Sequence, residues 1–178
     1  MSPADCSWFY LTDRRNAVGD FHTIHGSNFG DVGGVERYEL MANWFVNKLK
    51  ENDVKYVALE GYALNSPNPV TLTTLAENIG ILKLELHNAG IEVEIIAPTA
   101  LKKCATGKGN ANKEKMYEAF LKDTDLDLHD LLNIKSTKAI SPISDIVDAY
   151  YLALSCRTYA AIQEYEYKNG IAYTGEEI

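Results

Sequence analysis

Long apolar runs are missing from this chain: nothing in its 178 residues approaches the ~18 consecutive apolar positions of a membrane span. Met1 to Ser7 hold no basic region followed by an apolar one, so the start does not read as a secretory signal, and the location expected is cytoplasmic, with no membrane partner. Cysteine is scarce. Cys6, Cys104 and Cys156 are odd in number and lack metal-type spacing, which excludes a disulfide framework and favours free thiols in a reducing compartment. Histidine is scarce too, and the one close pair, His22 and His25, falls in a strand-like stretch without cysteine or histidine company, which fits a strand better than a zinc site. Basic residues are outnumbered, 17 Lys and Arg against 25 Asp and Glu, and the net charge of −8 excludes a uniformly basic surface. It does not exclude a local basic patch.

What is present is an ordinary globular composition, 46% hydrophobic and 24% charged, without repeats or low-complexity segments. A chain of this length makes one domain and can bury roughly 70% of its unfolded surface. Ser7 to Asp13 and Asn16 to His25 are rich in β-type residues and predict a hairpin, followed by a glycine-rich connection from Gly26 to Gly34. Val35, Tyr38, Met41, Phe45 and Leu49 recur at helical spacing, with an end near Asn52 and Asp53. Val54 to Glu60 reads as a strand buried on both faces, Gly61 to Pro69 as a loop, and Thr71 to Asn88 as a helix closed by Gly90. Ile91 to Ile96 is the next strand, and strand, helix, strand at this spacing implies a right-handed parallel crossover. A short helical piece from Thr99 to Cys104 precedes the break at Thr106 to Asn112. Lys113 to Lys122 is helical, with Met116, Ala119 and Phe120 inward, and an acidic stretch from Asp123 to Asn133 has room for one helical turn around His129. Ile134 to Ile140 is loop, and a long helix runs from Ser141 to about Tyr167. Residues 1–168 form the expected domain, and 169–178 a loose tail.

Two constellations carry chemistry. Ser141 followed by Pro142 is a helix-start signature, a hydroxyl able to cap orphan amides and a proline suited to the first helical position. Asp145 and Asp148 follow three apart, so both carboxylates project from one face of the first two turns. The bland reading is a helix N-terminus that favours negative charge through its dipole. Glu60, at the carboxyl end of an apolar strand, sits where ligands collect in open α/β sheets, although a solvated strand end looks the same. Together the three carboxylates could serve two divalent ions about 4 Å apart, the arrangement that activates water for phosphodiester hydrolysis. The second constellation is the segment Lys102 to Lys115, with five lysines against the single acid Glu114. Gly107 and Gly109 would let backbone approach a phosphate, and the next helix offers its N-terminus beside Lys113. A flexible loop carrying solvated lysines is the plainer alternative. The segment is not a P-loop, because Asn112 and Glu114 flank Lys113 where that motif needs glycine and serine or threonine.

In order along the chain, Leu59-Glu60, the run Ala97 to Lys103, the loop Thr106 to Lys113 and the helix start Ser144 to Ala149 resemble the RuvC family of Holliday junction resolvases, over roughly residues 7 to 157. The resemblance implies an α/β, ribonuclease H-like mixed sheet with helices on both faces. It also implies a symmetric homodimer and nicking of four-way DNA junctions that depends on Mg²⁺, with Mn²⁺ able to substitute, in a bacterial cell or phage-infected host. Carried over by motif, Glu60, Asp145 and Asp148 correspond to catalytic metal ligands and Lys113 to the basic residue near the scissile phosphate. Tyr62 lies close to where the family places an aromatic that stacks at the junction centre, one position early. Lys102, Lys103, Lys108, Lys113 and Lys115 are the expected contacts to the DNA backbone.

The resemblance has one departure. The family opens on a central strand ending in an aspartate, and the corresponding position here falls at or before Met1, so that strand is expected to be missing or truncated. Its loss would leave strand edges unpaired. The expectation is that the upstream reading frame encodes apolar residues followed by aspartate. The competing readings are a junction-binding relative impaired in cleavage, a site completed by Asp5, and another ribonuclease H-like nuclease acting on branched DNA or RNA–DNA hybrid.

Overall fold

Two helices feed two strands by the same device, and that device sets the parallel pair on which the site is built. The computed structural model describes residues 5–11, 19–25, 33–61 and 69–168. Helix α1 (Gly34–Glu51) buries Tyr38, Met41, Ala42, Phe45, Val46 and Leu49, the three- and four-residue spacing of one helical face. It stops at Asp53, whose φ of 52° is left-handed. There the Asp53 amide donates to the Lys50 carbonyl and the Val54 amide to Leu49, satisfying carbonyls that the helix leaves open. Val54 then packs on the cluster that contains Leu49 and leads into strand β3 (Tyr56–Glu60). Helix α2 (Pro69–Asn88) ends likewise: Gly90 has φ 70°, its amide donates to His87, and the Ile91 amide donates to Leu86. Leu86 and Ile91 join the same apolar cluster before strand β4 (Glu92–Ile96).

β3 and β4 pair in parallel, with Tyr56 opposite Glu92 and Glu60 opposite Ile96. Side chains alternate between the faces of a strand. Val57, Leu59 and Val93 therefore pack with Phe45, Val46, Leu49 and Leu86 on the side of α1 and α2. Ile96 packs on the opposite side, against a second cluster. Only Val57 of β3 is fully buried, so the expectation of a strand buried on both faces is corrected: among the described residues β3 hydrogen-bonds to β4 alone, which leaves its apolar side chains partly covered.

The second cluster joins α3 (Pro98–Thr106), α4 (Lys113–Thr124), α5 (Leu128–Leu131) and α6 (Ile143–Lys168). Phe120 and Tyr150 meet edge to face at 5.1 Å, and Tyr150 meets Tyr151 at 5.0 Å. Of the three α4 residues expected inward, Met116 and Phe120 are fully buried and Ala119 partly so. α6 lies against β3 and β4 and also against strand β1 (Asp5–Leu11), which forms an antiparallel hairpin with β2 (Gly19–His25). Helices thus cover both faces of the parallel pair. Among the described residues the hairpin and the parallel pair are two separate two-stranded sheets, joined through α6 rather than by strand hydrogen bonds. No helix among the described residues is long and apolar enough to cross a membrane. The expected tail at 169–178 and the turn between β1 and β2 lie outside the described residues.

Both glycines of the lysine segment have structural work. Gly107 caps α3 with φ 75°, its amide bonded to the Lys103 carbonyl, and a Cβ on Gly109 would stand 3.1 Å from the Thr99 carbonyl oxygen. At Gly107 the space around a Cβ is open, so the cost of a side chain there is conformational. Gly107→Ala is expected to cost about 1 kcal/mol and lower Tm by ~2–4 °C in calorimetry, and Gly107→Asn less, since asparagine tolerates the left-handed region.

Candidate active site

Register puts Glu60 on the working face. Its strand partner Ile96 packs on the α6 side, and the Gly61 amide donates to the Ile96 carbonyl at 2.8 Å, which continues the ladder one residue past the strand. Gly61 has little room for a side chain, since a Cβ would meet Ile95 Cγ2 at 3.2 Å. The backbone carrying Glu60 is accordingly held tight against β4.

α6 presents Asp145 and Asp148 to the same face, with its start fixed differently from the sequence expectation. The carbonyls of Ile140 and Pro142 accept the amides of Ser144, Asp145 and Ile146, so the helix begins at Ile143. The Ser141 hydroxyl is not an amide cap. It donates to Asp145 Oδ2 at 2.7 Å, because the nearest strong acceptor is a buried carboxylate one turn on. The Ser144 hydroxyl stands 3.3 Å from Asp145 Oδ1.

The three carboxylates sense one another. The Asp148 carboxyl is pushed up to about 7, first by burial, with the negative charges of Glu60 and Asp145 raising it further and Lys113 opposing them. Glu60 is raised chiefly by burial, with Asp145 adding to the rise while Lys102 and Lys113 pull the other way. Two lysines expected to lie along DNA thus bring their charge to the carboxylates. Asn112 caps α4 by accepting the Lys115 amide at 3.0 Å, and from the first turn of α4 Lys113 Nζ reaches Ser144 Oγ at 3.1 Å.

Glu60 of β3, Asp145 and Asp148 of α6, Lys113 of α4 and Lys102 of α3 are thus near enough for their charges to act on the Glu60 or Asp148 carboxyl. Lys103, Lys108 and Lys115 are exposed around this end of the molecule's α3–α4 connection. Thr106 pins the loop by donating to the Lys102 carbonyl at 2.8 Å and accepting the Lys108 amide at 3.2 Å. Tyr62 lies outside the described residues. Sequence reasoning missed Ser144 as a member of the cluster. Its signal was a hydroxyl next to an aspartate at a helix start, too common to single out.

An all-oxygen, triply acidic set suits hard divalent cations, and Asp148, raised first by burial and then by the charges of Glu60 and Asp145, would be favoured in its ionised form by such a cation. Among the described residues, no three His, Cys, Asp or Glu side chains already stand as a metal cage. The donor chemistry fits such an ion without being closed around one.

A raised carboxyl favours its protonated form in the folded state, so this contribution to stability is complete below pH ~4 and is lost as pH rises through about 7. In chelator, the unmodified protein is expected to lose stability between pH 5 and 8. Asp148→Asn should flatten that loss and be more stable by about 2 kcal/mol at pH 8, read from denaturant melts at both pH values. Equal slopes for the two proteins would refute the crowding of these carboxylates.

The profile of the family described as crossover junction endodeoxyribonuclease RuvC matches residues 34–156. RuvC of Chlamydia trachomatis serovar A is 29% identical over 153 residues, covering 83% of this chain and 84% of that protein. The Thermus thermophilus RuvC structure superposes with a TM-score of 0.56 at 19% identity, covering 82% of this chain and 78% of that one. T. thermophilus RuvC in complex with Holliday junction substrate gives 0.61 at 17% identity, covering 87% and 86%. These two share the fold, which is ribonuclease H-like. With well over half its length matched by the family profile, this chain belongs to the RuvC family of crossover junction endodeoxyribonucleases.

Proposed function

We propose that this protein is a divalent-metal-dependent endonuclease that binds four-way DNA junctions and hydrolyses a phosphodiester bond in each of two opposed strands. The observation that carries the reading is the electrostatic coupling of Glu60, Asp145 and Asp148 with Lys113 and Lys102 nearby in charge, with Asp148 held near pKa 7 by burial and like charge. One relative of the same fold is described in complex with a Holliday junction substrate, which supports the choice of DNA.

Glu60, Asp145 and Asp148 would hold the cation, Mg²⁺ with Mn²⁺ as a substitute. Bound there, such an ion lowers the pKa of its water and neutralises charge that develops on the phosphate. Lys113 and Lys102 offset the carboxylate charge and make the site tolerable for a phosphodiester, which would otherwise meet three acids. Lys103, Lys108 and Lys115, with the two site lysines, give the backbone of the DNA a salt-sensitive contact without base information. Tyr62 is the residue proposed to stack on bases at the junction centre. Paired cuts need two sites related by a two-fold axis, so a homodimer is part of the proposal.

A second reading, a relative that binds junctions without cutting them, draws on the lack of a ready cage among the described residues. Nicking of a synthetic four-way junction in Mg²⁺ separates the two. The unmodified chain is expected to nick, and Asp148→Asn to be slower by roughly two to three orders of magnitude with binding retained. Binding without nicking by the unmodified chain favours the second reading. Parallel assays with flap and RNA–DNA hybrid substrates should show the junction preferred.

Each lysine replaced by glutamine is expected to reduce the slope of log binding constant against log salt by about 1. Titration of labelled junction by fluorescence anisotropy at several salt concentrations measures it.

A further inference from the structure

We infer that Ser144 is a positioning residue of this site, tying the Lys113 ammonium to the Asp145 carboxylate, with Ser141 securing the carboxylate's other oxygen; this rests on the function proposed above. Lys113 Nζ lies 3.1 Å from Ser144 Oγ, and Ser144 Oγ lies 3.3 Å from Asp145 Oδ1. Ser141 Oγ lies 2.7 Å from Asp145 Oδ2.

The direction of the chain of bonds is forced by chemistry. An ammonium only donates and an ionised carboxylate only accepts, whereas a hydroxyl has one proton to give and lone pairs to receive. Ser144 must therefore accept from Lys113 and give its own proton to Asp145. Burial makes the arrangement matter: Ser144 is 4% exposed and Asp145 8%, so water is a poor substitute for either partner. Lys113 comes from the first turn of α4 and is otherwise exposed, so the hydroxyl is what anchors a long, rotatable side chain 31 residues away in sequence.

The consequence is preorganisation. Each Asp145 oxygen is taken once by a hydroxyl, which fixes the plane of the carboxylate, and each keeps acceptor capacity for another ligand. Ser144 also holds the Lys113 charge beside that carboxylate instead of letting it sweep through solvent. Neither serine needs to touch the reacting phosphate for this.

The test uses the full chain and its Ser144→Ala, Ser144→Thr and Ser141→Ala variants. The first readout is the Lys113 side-chain ammonium in ¹H–¹⁵N spectra, assigned with Lys113→Met. Its protection from solvent exchange is expected in the unmodified chain and in Ser144→Thr, and lost in Ser144→Ala. The second is Mn²⁺ binding by calorimetry without DNA. Ser144→Ala is expected to weaken it about tenfold, with much of that recovered in Ser144→Thr. Ser141→Ala, at an exposed position, should fold normally, keep Lys113 protected and weaken Mn²⁺ binding several-fold. The Ser144→Ala loss should shrink when Lys113 is already methionine, since the two act as a unit.

An ammonium unprotected in the unmodified chain, or equally protected in Ser144→Ala, overturns the inference. So does unchanged Mn²⁺ binding in both alanine variants. If Ser144→Ala does not fold, the Ser141→Ala result and the protection in the unmodified chain decide. An unmodified chain that shows the protected ammonium but nicks no junction would sink the proposed function and leave the relay standing.

Discussion

Burial of carboxylates near one another, on one face of a parallel strand pair, is the constraint on which the candidate site depends. Burying a carboxylate costs free energy, and the Asp148 carboxyl is pushed up to about 7 by burial first, with the charges of Glu60 and Asp145 adding to the rise. The scaffold offsets that cost by packing. α6 is clamped by Ile143, Ile146, Val147, Tyr150 and Tyr151, all nearly or wholly buried, so its first two turns cannot swing away from β3. Burying side chains of this kind contributes about 1.5–3 kcal/mol each, enough together to keep the acids in place. Lys113 and Lys102 supply part of the opposite charge, and a divalent cation would supply the rest.

The same packing explains how a hairpin and a parallel pair stay together without sharing strand hydrogen bonds among the described residues. Both lie on α6. The helix that carries two of the acids is also the mechanical link between the two sheets, so site geometry and global stability are coupled. Changes in the α6 core should disturb the carboxylates even where no acid is touched, whereas changes on α1 or α2 act through the other cluster.

Much of this was legible in the sequence because the signals are local. The spacing of Val35, Tyr38, Met41, Phe45 and Leu49 defines α1, although Val35 in its first turn is exposed; a glycine after an apolar stretch marks the end of α2, and the three-residue spacing of Asp145 and Asp148 puts them on one face whatever they pack against. The parallel crossover followed from element order. What escaped depends on contacts between distant segments. Ser141 reads as an amide cap until the carbonyls of Ile140 and Pro142 are seen to take the amides. That Lys113 also reaches Ser144, that Gly107 ends α3 and that Gly109 passes close to Thr99 are structural roles that only the packing of distant segments reveals. The burial of β3 was overestimated because apolar composition does not report how many strands cover an edge.

A charge-coupled carboxylate site has one direct physical signature, the position of a bound cation. Crystals of the protein soaked in Mn²⁺ and measured at the manganese absorption edge should give anomalous density bounded by Glu60, Asp145 and Asp148. Density elsewhere on the surface, or none at concentrations that saturate binding in solution, would contradict the assignment of these three residues to one metal site.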